Sequence, residues 1–381
     1  MPEPTDSVAD TEALYASLGV RALINAGGAY TMLGGSMLSP AVRAAMDAAN
    51  YRFVDMKELL ESSGRIIAEM LDAEAAYVTA GAAASLALSV AACLTLEHRD
   101  YLERLPDTQG IPNEILVQAN SRQKYDHVLT VPGARIVDVG DANGLTADQL
   151  RDAIGPNTAV VHYFAQSKSP GTPDIETVVE VAHAAGKPVI VDAAGLTYPV
   201  NNLRRFHRAG ADLVCYAGKY FDAPQSTGLI VGRADLVELA AINGFVGFET
   251  SGFLTIGRPM KVDRQEMVGA VVALREWLAM DHEARFARYG ERIDTIVAAI
   301  RDVPGLKAQR ISAIEQPPPT VRDGVRIDFE TEISAATVET ALLDGEPGIF
   351  VRRYGAALVL SVAFMNDGEA EIVARRLTEV L

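Results

Sequence analysis

Two apolar runs of strand length lie close together past the middle of the chain, Val189-Ile190-Val191-Asp192 and Leu213-Val214-Cys215-Tyr216-Ala217-Gly218-Lys219, and each ends on a charge. Unbroken apolar runs of this kind mark parallel strands buried on both faces, and ligands collect at the carboxyl ends of such strands. Between them, Asn202 to Ala209 reads as a helix and Ala209-Gly210-Ala211 as its stop, so the segment is one strand-helix-strand unit. The same alternation holds upstream. Strands are predicted at Ile115–Gln118, Arg135–Val139 and Ala159–Phe164, with helices at Gln123–Leu129, Thr146–Ile154 and Ile175–Ala185. Alternation of this sort predicts an α/β fold with a mostly parallel sheet covered by helices on both faces.

The flanks extend the pattern. A helix is expected around Thr11–Leu18, another behind the Ser39-Pro40 cap, and a third over Met56–Leu71. Ala75–Thr79 then forms a short strand that turns through Ala80-Gly81-Ala82-Ala83-Ala84-Ser85 into a helix ending near Leu96. Past Lys219, Leu229–Gly232 is a returning strand, and Asn243–Pro259 is irregular and punctuated by glycine. Long helices from Asp263 to Val303 follow, with Trp277 on their apolar face. Strands around Lys307–Ile314, Val325–Phe329 and Ile349–Val362, with helices near Ala335–Leu343 and from Gly368, predict a small α+β domain that includes the tight connection Pro317-Pro318-Pro319. The expected division is 1–45 as an N-terminal arm and glycine-rich loop, 46–255 as a large domain, and 256–381 as interdomain helices and small domain.

With 381 residues and 49% hydrophobic content, the chain can bury the core of two domains. It has no uncharged apolar run of bilayer length, and Met1–Asp10 is acidic with no signal-peptide core, so a cytoplasmic protein with no membrane partner is expected. Cys93 and Cys215 lie in apolar surroundings without metal-ligand spacing, which predicts buried free thiols and no metal. The net charge of −16 repels a polyphosphate, and no basic run offsets it, so nucleic acid is not an expected partner.

Only 7 lysines are present, and Lys219 alone closes an apolar strand beside an acid-terminated one. Burial disfavours an ammonium and yields a nucleophilic amine, which a Schiff base with a carbonyl cofactor requires. An aspartate alongside would keep a pyridine nitrogen protonated, turning the ring into an electron sink. Asp192 and Lys219 together therefore suggest pyridoxal phosphate, although an ordinary ion pair fits the spacing as well. The small residues at Gly81 and Ala82 leave helix N–H groups open to a phosphate, or serve close helix packing. Asn25 to Ser36 holds four glycines with Tyr30 and Thr31 and reads as a loop over a ligand, or as a flexible arm. Arg122 in a polar segment, and Arg258 and Lys261 flanking the irregular stretch, are candidate substrate contacts that solvated or hinge positions would equally explain.

Five segments carry a resemblance in order: Ile24–Ser36, Val78–Ala84, Val191–Ala194, Ala217-Gly218-Lys219 with Pro224–Gly228, and Ile256–Lys261. Together they resemble the selenocysteine synthase (L-seryl-tRNA selenium transferase) family of fold-type-I pyridoxal phosphate enzymes, most nearly its D-glucosaminate-6-phosphate ammonia-lyase branch. The resemblance implies an aspartate aminotransferase-like fold with a small α+β C-terminal domain. It also implies Lys219 as the cofactor-bearing lysine, Asp192 as partner of the pyridine nitrogen, and Gly81, Ala82, Gln225, Ser226 and Thr227 around the phosphate. A homodimer or larger homo-oligomer follows from it too. Two departures stand out: Tyr216 occupies a position where relatives commonly carry serine, and Ser361–Phe364 lacks the arginine of many relatives.

The expected activity is a lyase that removes ammonia from a hydroxy amino acid or amino sugar acid after Cα deprotonation, giving a 2-oxo acid. Racemisation or epimerisation, β-replacement and transamination share its first steps. Selenium transfer onto charged tRNA fits the acidic chain less well, and a non-catalytic cofactor-binding regulator lacks a DNA-reading element.

Overall fold

The computed structural model describes residues 8–166, 169–312, 323–330 and 333–381. Pro317-Pro318-Pro319 lies outside them. The chain divides into two compact units, Ser36–Ala279 and Met1–Gly35 with Met280–Leu381.

The smaller unit opens with helix α1 (Val8–Ser17) and strand β1 (Leu23–Asn25). The larger unit then runs α2 (Pro40–Ala48), α3 (Met56–Leu71), β2 (Ala75–Thr79), α4 (Gly81–Thr95), β3 (Glu114–Gln118), β4 (Arg135–Val139), α5 (Ala147–Ala153), β5 (Thr158–Phe164), α6 (Ile175–Ala184), β6 (Val189–Asp192), α7 (Asn202–Arg208), β7 (Leu213–Ala217), β8 (Gly228–Gly232), α8 (Ala234–Asn243), α9 (Phe245–Thr250) and α10 (Arg264–Ala279). The chain returns to the smaller unit with α11 (His282–Ile300), β9 (Leu306–Ser312), β10 (Asp323–Phe329), α12 (Ala335–Asp344), β11 (Gly348–Phe350), β12 (Arg352–Tyr354), β13 (Ala357–Ser361) and α13 (Glu369–Val380).

The seven-stranded sheet of the larger unit has the order β2-β8-β7-β6-β5-β3-β4. Only β8 runs against its neighbours; every other pairing in this sheet is parallel. All residues of β6 and β7 are buried, as expected of strands covered on both faces. The caps read from sequence are present. Ser39 Oγ accepts the Val42 N–H at 3.1 Å with Pro40 in the first turn, and Thr146 and Gln149 exchange hydrogen bonds of 3.2 and 2.9 Å. Each such cap contributes about 1 kcal/mol to its helix.

Two local expectations differ from the structure. Within Asn243–Pro259 the chain forms α9, because the extended Gly244 ends α8 and the apolar Phe245 and Val246 bury as a new helix starts. The helix expected over Gln123–Leu129 is a 3-10 run at Lys124–Thr130.

The smaller unit holds the antiparallel sheet β12-β13-β10-β9 and the parallel pair β1-β11. Its core is built from Ile293, Ile296 and Ile300 of α11, Val325 and Ile327 of β10, Leu358 and Leu360 of β13, and Val373 and Leu377 of α13. Among the described residues no helix is long and apolar enough to cross a membrane.

Candidate active site

The carboxyl ends of β6 and β7 lie side by side, with Asp192 in register with Cys215. Lys219 follows two residues beyond β7, in a short 3-10 turn over Gly218–Phe221. Several bonds fix this turn. Ala217 N–H donates to Ala194 O at 3.1 Å and Gly218 N–H to Thr227 O at 2.8 Å. The Thr197 hydroxyl donates to Tyr220 O at 2.5 Å, and the Trp277 indole N–H donates to Thr197 O at 2.9 Å. The lysine backbone is thus tied to α10 through a buried tryptophan. Lys219 is half-buried, and burial holds its pKa below that of an ordinary lysine. Its amine lies 5.3 Å from the centre of the Tyr220 ring.

Asp192 is 5% exposed. One carboxylate oxygen accepts the Ala194 N–H at 3.1 Å and the other accepts Gln123 Nε2 at 3.2 Å. Among the described residues no lysine, arginine or histidine pairs with it. Burial pushes its pKa up to about 6, against the two N–H donors, which favour the charged form. One pleat back on β5, His162 is buried with neither ring nitrogen hydrogen-bonded, and burial pulls it down to about 4, so it is neutral at pH 7.

The start of α4 is the third component. Ala80 caps it without a side-chain hydrogen bond, and Gly81 has φ 79°, a conformation glycine adopts without strain. The loop after Lys219 lies directly against it: a methyl group built on Gly228 would sit 2.5 Å from the Gly81 carbonyl carbon and 2.7 Å from the Ala82 nitrogen. The segment 225–227 and the exposed first N–H groups of a long, uncapped helix are therefore neighbours. Gln225 Oε1 is buried with no hydrogen-bond partner. Ser226 donates its hydroxyl to the Glu266 carboxylate, and Thr227, fully buried, donates to Pro224 O at 2.7 Å.

The structure therefore brings Asp192, Lys219, Gly81, Ala82, Gln225, Ser226 and Thr227 to one edge of one sheet. The other candidates within this unit are paired elsewhere or exposed. Arg122 pairs with Asp126 and Asp138, both at 2.5 Å. Arg258 pairs with Glu249 at 2.8 Å, and Lys261 is exposed. Tyr30 and Thr31 belong to the smaller unit, where Asn25 Oδ1 organises the glycine loop by accepting the Gly27 and Gly28 N–H groups at 2.9 and 3.1 Å. There the Tyr30 ring lies under the Arg352 guanidinium, 4.4 Å from its centre. Tyr216 is fully buried and donates its hydroxyl to Asn202 O at 3.0 Å, so the phenol serves α7. Three residues that sequence reasoning did not single out support the site, namely Gln123, Thr197 and Gln166, whose Oε1 accepts the Gly195 N–H at 3.1 Å. Gln123 and Gln166 each follow a strand end, which is the signal that could have marked them.

Comparison with known proteins places this arrangement. The family description for aminotransferase class-V matches residues 121–367. A 5'-C-glycyluridine monooxygenase-decarboxylase from Streptomyces is 36% identical over 96% of this chain and 92% of its own length. A D-glucosaminate-6-phosphate ammonia lyase from Salmonella typhimurium is 32% identical over 97% of this chain and 98% of its own. An L-seryl-tRNA(Sec) selenium transferase from Moorella thermoacetica is 26% identical over the whole chain and 87% of its own length. The solved structure of a D-glucosaminate-6-phosphate ammonia-lyase superposes with a TM-score of 0.82 at 30% identity, covering 96% of this chain and 97% of that one. The chain belongs to the aminotransferase class-V family, with a fold-type-I architecture, pyridoxal phosphate as cofactor, and selenocysteine synthase-like enzymes among its relatives.

Proposed function

We propose that this protein is a pyridoxal phosphate-dependent lyase that releases ammonia from an amino sugar acid or related hydroxy amino acid and leaves a 2-oxo acid. The observation that carries the reading is the pair past neighbouring strand ends: a half-buried lysine just beyond β7 and, at the end of β6, a buried carboxylate with which no cation pairs among the described residues. The ammonia lyase relative, matched over nearly its full length in sequence and in structure, supports the substrate class.

The residues fit the cofactor. The charge of Asp192 is available to a protonated ring nitrogen, and the start of α4 at Gly81 and Ala82, which has no side-chain cap, suits a phosphate and lies beside the loop that carries Gln225. Ser226 and Thr227 complete that loop, though their hydroxyl hydrogens are engaged with Glu266 and Pro224. Bound pyridoxal phosphate would accept the electron pair left behind when a proton departs from the substrate Cα.

In this mechanism Lys219 would hold the cofactor, and its amine is the group placed to take the proton from the substrate Cα. Burial lowers its pKa, which favours the neutral amine that proton abstraction from Cα requires. Asp192 would hold a proton on the cofactor's ring nitrogen. Lys219 would pass the Cα proton to the β-hydroxyl so that it leaves as water, and one water taken up in hydrolysis of the released product balances it, giving the 2-oxo acid and ammonia with no net redox change. Tyr30 and Thr31 in the glycine-rich loop, and Arg122, Arg258 and Lys261, remain candidate substrate contacts. In this reading 1–45 acts as arm and loop, 46–255 as the cofactor domain and 256–381 as the small domain of a cytoplasmic homodimer or larger homo-oligomer.

A second reading rests on the Streptomyces relative, whose name gives an oxidative decarboxylation at an identity above that of the lyase. One assay set separates the two. Purified holoenzyme is given D-glucosaminate 6-phosphate, its unphosphorylated analogue and a panel of D- and L-hydroxy amino acids, with ammonia, 2-oxo acid, carbon dioxide and dissolved oxygen followed together. Ammonia and 2-oxo acid in equal amounts without oxygen uptake support the lyase; oxygen consumption with carbon dioxide release overturns it. Solvent deuterium entering Cα with neither product would mark a racemase.

A further inference from the structure

We propose that Gln123 is a positioning residue that holds Asp192 ionised and correctly turned towards the cofactor ring. The inference rests on the cofactor reading above and adds to it a residue on which the electron sink depends.

Asp192 has one neutral donor on each carboxylate oxygen. The Ala194 N–H comes from the backbone of its own strand end, so it is present whatever the neighbouring side chains are. Gln123 is the other donor, and it arrives from a different element, the turn after β3. The backbone of that turn is clamped in both directions. Asp126 Oδ2 accepts the Gln123 N–H at 3.0 Å, and the Asp126 N–H returns to Gln123 O at 3.1 Å. Arg122 in turn grips the same Asp126 oxygen through Nε at 2.5 Å and reaches Asp138 through Nη1 at 2.5 Å. An unbroken chain thus runs Asp138, Arg122, Asp126, Gln123, Asp192.

The chemistry of each member suits this task. A lysine or arginine in place of Gln123 would cancel the charge of Asp192 and leave nothing for a ring nitrogen. An apolar side chain would leave a desolvated carboxylate to neutralise itself by taking up a proton. An amide does neither, because it donates a hydrogen bond to the ionised form while carrying no charge of its own. The charged and titratable groups on the elements next to Asp192 are Asp126 behind Gln123, with Arg122 beyond it, Cys215 opposite it on β7, His162 two residues before its β5 partner Phe164, and Lys219 past the end of β7. Asp126 opposes ionisation of Asp192, and Arg122 offsets Asp126. Arg122 therefore acts on this site through Asp126.

The test uses the holoenzyme and two substitutions, Gln123→Leu and the isosteric Gln123→Glu, with circular dichroism to confirm the fold. The visible absorbance of the bound cofactor is titrated from about pH 5 to pH 8, and the cofactor dissociation constant is measured at the acid end. Gln123→Leu is expected to raise the midpoint of the acid-side transition by about one pH unit and to weaken cofactor binding there about tenfold. Gln123→Glu, which places a second carboxylate against Asp192, is expected to raise the midpoint further. Wild-type midpoints in both variants would overturn the inference while leaving the cofactor reading intact. Absence of a visible band in wild-type protein supplied with pyridoxal phosphate would overturn both.

Discussion

Two buried aspartates stand at opposite ends of adjacent strands and differ in every respect except burial. Asp212, just before β7, is 4% exposed and fully compensated: Arg233 binds it at 2.7 Å, His183 at 2.8 Å, and the Val189 N–H at 2.7 Å. Asp192, at the carboxyl end of β6, is equally buried, and among the described residues it meets two uncharged donors and no cation. A compensated buried carboxylate locks the amino ends of the strands together. An uncompensated one costs stability that the fold alone does not return, and it awaits a cationic partner. The two ends of the sheet are accordingly a structural knot and a reactive site.

The largest effect that should separate them is chemical. Lys219→Ala is expected to lower kcat by at least about 10⁴-fold, because it removes both the cofactor attachment and the base, while thermal unfolding of the cofactor-free protein changes little. Asp192→Ala is expected to lower kcat by about 10²- to 10³-fold with secondary structure retained. Asp212→Ala should leave kcat per folded molecule within about twofold, and steady-state kinetics corrected for folded fraction would check the contrast.

The next effect is one of sign. In cofactor-free protein the Asp192 carboxyl binds its proton more tightly folded, at about 6, than unfolded, at 3.8. Its contribution to stability is therefore present below about pH 4 and lost as pH rises through about 6. Asp192→Asn should stabilise cofactor-free protein at pH 7 by about 2 to 3 kcal/mol, and the gain should vanish near pH 4. Asp212→Asn should instead destabilise it by about 2 kcal/mol, a figure kept modest because Arg233 and His183 are both more than one-third exposed. Urea unfolding of the two variants at both pH values measures the comparison, and equal signs at pH 7 would break it.

The smallest effect concerns the support beneath the lysine. Thr197→Val removes the hydroxyl that donates to Tyr220 O and should cost about 1 kcal/mol, with a kcat loss of a few-fold as the Lys219 turn loosens. Unchanged kcat with the same stability loss would make Thr197 purely structural.

How legible all this was in the chain follows from the range of the interactions. The strand ending in Asp192 and the one that leads to Lys219 were readable because both are unbroken apolar runs, and the caps at Ser39 and Thr146 because they depend on neighbours three residues away. The reversal of β8 is not encoded in its own apolar pattern, which would suit either direction. Gln123 donates to an acid 69 positions further on, and Thr197 to a carbonyl 23 positions away, so no local spacing reveals either role. Arg122 stood out as a basic residue near a strand end, yet while Asp126 is a local partner four residues on, Asp138 on β4 reaches it only once β3 and β4 pair. Tyr216 looked like a foreign group at the cofactor, but the side-chain alternation of β7 turns it to the face opposite Cys215, where it bonds α7.

The most direct test of the central claim is chemical capture of the cofactor. Holoenzyme is reduced with borohydride and digested, and the peptides are weighed by mass spectrometry. The account predicts one pyridoxyl phosphate adduct, on the peptide carrying Lys219, and none in the Lys219→Ala variant. An adduct on any other lysine, or none at all after incubation with pyridoxal phosphate, would contradict it.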